Sequence, residues 1–152
     1  QNTSFAYYQQ HYAMAESSYP YLGKDGTCRY DNRGTGVKAS TYKKVTANSI
    51  SGIKTALNKQ PVSILVEAYL ITDRTAFQSY HSGILDSTAC GTSLDHAVAA
   101  VGYGTEGGQE YYIVRNSWGA SWGDAGYIKI AAVEGKGICG IQMESLYPST
   151  TA

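Results

Sequence analysis

Two stretches concentrate the small, β-branched and aromatic residues of the chain. The first is Leu94-Asp95-His96-Ala97-Val98-Ala99-Ala100-Val101-Gly102-Tyr103-Gly104; the second runs from Tyr111-Tyr112-Ile113-Val114 through Arg115-Asn116-Ser117-Trp118-Gly119 to Trp122-Gly123. Each reads as a β-strand closing on a Gly turn, with Thr105-Glu106-Gly107-Gly108-Gln109 as the turn between them. Val62 to Ala68 is a further apolar run of strand length, expected at the centre of a sheet. Ile138 to Pro148 supplies a last strand. Helical spacing occurs twice. Phe5, Tyr8 and Tyr12 fall three and four apart and predict a helix over Ser4–Ala15. Ile50, Ile53 and Leu57 make the stripe of a second helix, capped by Ser49 and stopped near Lys59 by Pro61. Tyr19 to Arg33 is turn-rich, with Lys24-Asp25-Gly26 expected as a hairpin turn before a short strand. Asn32 to Gly36 is a loop, and Val37 to Val45 leads out of it.

The two main strands place a polar residue where each can meet the other, His96 against Asn116. An Asn carbonyl accepting from the imidazole N–H fixes the ring's tautomer and leaves the other nitrogen for proton transfer. Trp118, two residues on, would cover that hydrogen bond. A lone His at a strand end is more simply a buried polar end, and only its company argues for chemistry.

Composition narrows the classes. Twelve basic residues balance twelve acidic ones, so charge points to neither nucleic acid nor an anionic membrane. No apolar run reaches the roughly 20 residues of a membrane span, and none has the form of a signal peptide. A chain of 152 residues can bury a sizeable core. The seventeen Gly and fourteen Tyr suit strands, tight turns and half-wet aromatic faces. Cysteines number three, an odd count. In an oxidising compartment that leaves one for a partner elsewhere; in a reducing one all three would be buried thiols.

Asp95-His96-Ala97-Val98-Ala99-Ala100-Val101-Gly102-Tyr103-Gly104 and Asn116-Ser117-Trp118-Gly119-Ala120-Ser121-Trp122-Gly123 resemble the histidine and asparagine motifs of papain-like (cathepsin L-like) cysteine proteases. Tyr19-Pro20-Tyr21, Gln60-Pro61-Val62-Ser63, Phe77-x-x-Tyr80-x-x-Gly83-Ile84, Cys139-Gly140 and Tyr147-Pro148 fall in the family's order, so the resemblance covers nearly the whole chain. It implies an α+β, two-domain fold. Residues 1–43 would be the C-terminal part of the left, helical domain, and residues 44–152 the right, antiparallel β-barrel-like domain with the active-site His and Asn. Tyr69 to Ala76 departs from the common pattern by a few residues and is expected to be an exposed, variable loop.

The same resemblance implies roles. His96 would be the catalytic acid–base, Asn116 its orienting partner and Trp118 its cover. Asp95 would contact the substrate backbone through its carbonyl and tune the cleft through its carboxylate. Trp122 would form an apolar platform on the leaving-group side. The specificity pocket would have Leu65, Leu94 and Ala97 as walls and Glu144 as floor, accepting Leu or Phe and, through the carboxylate, Arg. Cys90 and Cys139 would form a disulfide, and Cys28 would pair with a Cys outside this chain. No metal or cofactor is implied.

In this family the nucleophilic Cys precedes the His by about 130–150 residues, which puts it about 35–55 residues upstream of Gln1. No Cys-Gly-Ser-Cys-Trp stretch and no accompanying oxyanion Gln occur in the sequence. The expected partners are therefore an N-terminal segment or chain of the same protease bearing that Cys, peptide or protein substrates, and cystatin-type or propeptide inhibitors. The expected location is lysosomal, vacuolar or secreted. Two alternatives stay open: a silicatein-like relative with Ser as nucleophile, and an inactive papain-fold binding or structural protein. Isolated, the chain is expected to be inactive.

Overall fold

The computed structural model describes residues 1–32, 36–69 and 76–150. The expected loop at 33–35 and most of the variable loop at 69–76 lie outside the described residues. The chain forms two compact units, one comprising Gln1–Lys43 with the chain's end from Pro148, the other Lys44–Tyr147.

In the first unit, helix α1 spans Asn2–Gln10 and buries no side chain. It starts two residues before the predicted Ser4 and stops five before Ala15. The reason for the early stop is non-local. Past Gln10 the backbone turns extended at His11. The Tyr12 N–H then donates to the Tyr30 hydroxyl at 3.1 Å, and Ala13 bridges to Val37. Phe5 stacks on Tyr42 with centroids 5.9 Å apart, whereas Tyr7, Tyr8 and Tyr12 stay substantially exposed. The expected strand after Gly26 does not form. Arg29 N–H donates to the Tyr19 hydroxyl at 3.0 Å, so a side chain takes the place of a ladder partner. Strand β1, Ala39–Lys44, leads to the second unit.

The second unit is built on an antiparallel sheet. Helix α2, Ile50–Leu57, starts where Ser49 Oγ accepts from Gly52 N–H at 3.0 Å, as expected for a Ser N-cap. It buries Ile53 and Ala56, with Ile50 and Leu57 packed at the margin. The strands that follow are β2 (Val62–Val66), β3 (Ile84–Leu85), β4 (His96–Glu106), β5 (Gln109–Arg115), β6 (Tyr127–Ala131) and β7 (Ser145–Thr150). Their order is β7-β2-β4-β5-β6-β3. Strand β2 is thus paired on both sides, as its apolar run predicts. The β3–β6 pair is parallel, whereas β2–β4, β2–β7, β4–β5 and β5–β6 are antiparallel. The β4–β5 hairpin closes on Gly107-Gly108, both at positive φ, which L side chains adopt at a cost and Gly adopts freely.

Alternation along the strands decides what faces the core. Val62, Ile64 and Val66 point inward and meet Ala100, Val98 and His96 across the β2–β4 ladder. His96 therefore sits on the core-facing side, at the last rung. Tyr112, Val114, Ile128 and Ile130 complete that face. Cys90 and Cys139 are both buried and form a disulfide that joins two short 3-10 turns, Thr88–Cys90 and Ile138–Gly140. Ile138 to Glu144 is thus a turn rather than strand, and the predicted last strand begins only at Ser145.

The buried Tyr112 hydroxyl donates to Gln142 Oε1 at 2.9 Å, and Gln142 Nε2 returns to the Val133 and Gly135 carbonyls. Burial raises the Tyr112 phenol's pKa, because the charged phenolate would lose its solvation there, and Glu110 and Glu134 add to the rise. A raised folded-state pKa stabilises the fold below the unfolded Tyr value, about 10, and that contribution is lost as pH rises beyond it. Unfolding stability is accordingly expected to fall as pH climbs above about 10, with a shallower slope in Tyr112→Phe. Urea melts at pH 8 to 11 would show this; parallel slopes for the two proteins would contradict it.

Candidate active site

Strand register brings the site together. His96 opens β4 opposite Val66, and Asn116 directly follows β5, one residue past the Ala99–Arg115 pair. His96 Nε2 lies 2.9 Å from Asn116 Oδ1. With that carbonyl accepting, Nε2 carries the ring hydrogen and the neutral ring's Nδ1 is an acceptor. Asn116 is buried, and its Oδ1 also accepts from Ser117 N–H at 2.7 Å, which locks the amide's orientation. The acceptor is a neutral amide, so it orients the ring through a hydrogen bond rather than an ion pair.

Trp118 stacks on the imidazole, centroids 4.9 Å apart and planes 28° from parallel. Around it lies an aromatic shell that the sequence reading only partly anticipates. Phe77 meets His96 edge-on at 6.0 Å and Trp118 at 5.6 Å, and stacks on Trp122 at 5.3 Å. Tyr69 approaches both His96 and Trp118. Trp122 donates its Nε1–H to the Gln78 carbonyl at 3.1 Å and leans on Tyr80. Tyr80 in turn donates to the Gly83 carbonyl at 2.6 Å. The Phe77-x-x-Tyr80-x-x-Gly83 segment is therefore a clasp around Trp122. Its presence was readable as a motif; its contact with the histidine was not.

Asp95 precedes His96, and its carboxylate accepts from Ala68 N–H at 2.7 Å and Tyr69 N–H at 3.1 Å. It thus anchors the backbone leaving β2, which carries Tyr69 toward the imidazole. Glu67 is a second carboxylate at this end of β2, and the sequence offered no sign of it. It is 7% exposed and accepts from Ser93 N–H, while its own N–H donates to the Cys139 carbonyl at 2.9 Å. Gly91 stands so close to the Glu67 carboxylate that a β-carbon would collide with it, and at φ +62° the position favours glycine independently. Glu67 and the disulfide together pin residues 90–93, the lead into Leu94, Asp95 and His96.

The four residues expected to form the pocket do not all behave alike. Leu65 faces Ala97 across the β2–β4 ladder, and on its other side Glu144 follows next in line after the Ile64–Ser145 pair of β2 and β7. Leu65 N–H donates to the Glu144 carbonyl at 3.2 Å. Directly opposed residues share a face, so Leu65 and Ala97 form a row on β2 and β4 that continues to Glu144, the residue just before β7. Leu94 lies off the sheet, packed over Gly140. The Glu144 carboxylate is 3.1 Å from Lys44 Nζ.

Cys28 is a free, exposed thiol in the first unit. Among the described residues no group of three or more His, Cys, Asp or Glu side chains is placed to hold a metal ion, and no helix is long and apolar enough to cross a membrane.

Comparison with known proteins gives one answer. The family model for papain family cysteine proteases matches residues 1–149. The chain is 49% identical over 138 residues to the probable cysteine protease RD21B of Arabidopsis thaliana, covering 88% of this chain and 28% of that protein. It is 43% identical over 151 residues to chymopapain of Carica papaya, covering 97% of this chain and 42% of that protein. It therefore spans well under half the length of either. Among solved structures, the bromelain protease of Ananas comosus in complex with the E64 inhibitor superposes with a TM-score of 0.85 at 39% identity, over 96% of this chain and 67% of that one. The fold is papain-like, with the antiparallel sheet matching the β-rich right domain of that architecture. The chain belongs to the papain family of cysteine proteases.

Proposed function

We propose that this chain supplies the acid–base half of a cysteine endopeptidase, His96 with Asn116, and that the nucleophilic Cys and an oxyanion-binding Gln come from a segment outside these 152 residues. The observation that carries the reading is the His96–Asn116 pair at 2.9 Å beneath the Trp118 ring. Of the three cysteines present, Cys90 and Cys139 are spent in a disulfide. In this reading residues 1–43 close the left domain, residues 44–152 make the right one, and Cys28 bonds to a Cys of the outside segment.

The chemistry follows from pKa control. A free thiol, at about 8.5, is mostly protonated at neutral or acid pH. Proton transfer from the thiol to His96 Nδ1 gives a thiolate–imidazolium pair, with Asn116 holding the ring in the plane that permits it. The thiolate adds to the scissile carbonyl, and the oxyanion is met by the Gln side chain and backbone N–H groups. His96 returns its proton to the leaving amine as the C–N bond breaks. It then takes a proton from the water that cleaves the thioester. Trp118, Phe77 and Tyr69 keep bulk water from the histidine's hydrogen bond. The Leu65–Ala97 row with Leu94 would take a Leu or Phe side chain, and Glu144 would extend the preference to Arg. Peptides and proteins are the substrates; cystatin-type and propeptide inhibitors would bind the same cleft. The disulfide suits a vacuolar, lysosomal or secreted location.

The test uses the native protein and a fluorogenic dipeptide amide. Hydrolysis that iodoacetamide abolishes supports the reading. Hydrolysis indifferent to the alkylating agent would indicate a silicatein-like Ser nucleophile, and no hydrolysis would indicate a non-catalytic scaffold; either result overturns it.

A further inference from the structure

The pocket row contains a carboxylate already engaged. Val45 N–H donates to the Ser145 carbonyl at 2.9 Å, and this bond holds the chain so that the residues just before, Lys44 and Glu144, reach one another. Lys44 Nζ sits 3.1 Å from Glu144 Oε1, with side chains 53% and 36% exposed. The pair thus joins residues a hundred positions apart, one of which is the proposed floor of the specificity pocket.

Exposed ion pairs of this kind are weak, since water screens them and two long side chains must be ordered to make them. They are correspondingly easy to exchange. A guanidinium entering from substrate would offer Glu144 two parallel N–H donors, a better match than one ammonium, but it must first displace Lys44. A Phe or Leu side chain makes no such demand and leaves the pair intact. Building on the peptidase reading and its pocket, we propose that Lys44 is a specificity-determining residue that competes with cationic substrate side chains for Glu144 and biases the pocket toward neutral, apolar ones. Specificity here depends on an opposing charge as much as on an attractive one.

The experiment compares kcat/KM for two peptide amides that differ only in Arg or Phe at the residue preceding the cleaved one. Removing the competitor in Lys44→Met, which keeps an aliphatic stem, is expected to raise the Arg/Phe ratio roughly twofold to fivefold, the range that exposed pairs contribute. Lys44→Arg keeps the charge and is expected to hold the ratio near that of the native protein. In a Glu144→Gln background, Lys44→Met should no longer move the ratio. Thermal melts confirm that each variant is folded. An unmoved ratio in Lys44→Met, with Glu144→Gln lowering it, overturns the role of Lys44 and leaves the pocket standing. A ratio unmoved by either change overturns the pocket floor as well. If the native protein cleaves neither peptide, the peptidase reading itself falls.

Discussion

Substituting His96 by Ala in the native enzyme is expected to lower kcat/KM for peptide hydrolysis by about 10³-fold or more, with little change in KM. General acid–base catalysis alone contributes about 10²–10⁴-fold, and in the proposed mechanism this histidine also holds the thiol ionised. Both are lost together. The proposed role falls to one histidine of three. His96 is the one histidine whose ring is bonded to a buried amide, through Nε2 and Asn116 Oδ1, and covered by a stacked indole. His11 instead stacks on Tyr7 at 4.2 Å in the other unit, and His81 is exposed just after Tyr80. His11→Ala and His81→Ala should therefore keep near-native rates. Steady-state kinetics on the three variants check this, and a His96→Ala enzyme within tenfold of native would contradict it.

Breaking the Cys90–Cys139 bond should have the largest effect on stability. It closes a separation of 49 residues, for which the chain-entropy relation gives about 4 kcal/mol. Both sulfurs are buried, so replacement also disturbs packing against Ile138 and Ile141 in the core. The double variant Cys90→Ala/Cys139→Ala is expected to lose about 2–5 kcal/mol by urea unfolding. Its site should suffer too, because the bond and Glu67 jointly fix the backbone leading into Leu94, Asp95 and His96. A loss under about 1 kcal/mol would mean that the two 3-10 turns hold without it.

Which parts of this were legible in the sequence follows from the range over which each feature is decided. The Ser49 cap, the stop at Pro61 and the Gly107-Gly108 turn are local events, and the structure places α2 and the β4–β5 hairpin where they predict. The Asp95-His96 and Asn116-to-Trp118 motifs sit at the ends of two strands with strong β-pattern, β4 and β5, so the meeting of His96 with Asn116 could be expected from the pairing of those strands. The end of α1 could not. Its Tyr12 and Ala13 are captured by Tyr30 and Val37, and helical spacing carries no record of those partners. Nor could the burial of Glu67, whose carboxylate is enclosed by a segment 26 residues away. The Lys44–Glu144 contact crosses from one end of this unit's sequence to the other and has no local signature. Phe77 stood in a recognisable motif, yet its contact with His96 depends on how that turn folds over Trp122.

In the proposed mechanism His96 serves a thiolate carried outside these residues. The most direct measurement is to alkylate the native protein with limiting iodoacetamide at pH 6, where an ordinary thiol reacts slowly, and to map the modified residue by peptide mass spectrometry as activity is lost. One modified cysteine is expected, outside these 152 residues, with its reactivity collapsing in His96→Ala. Modification of Cys28 in step with inactivation, or full activity with every thiol blocked, would contradict it.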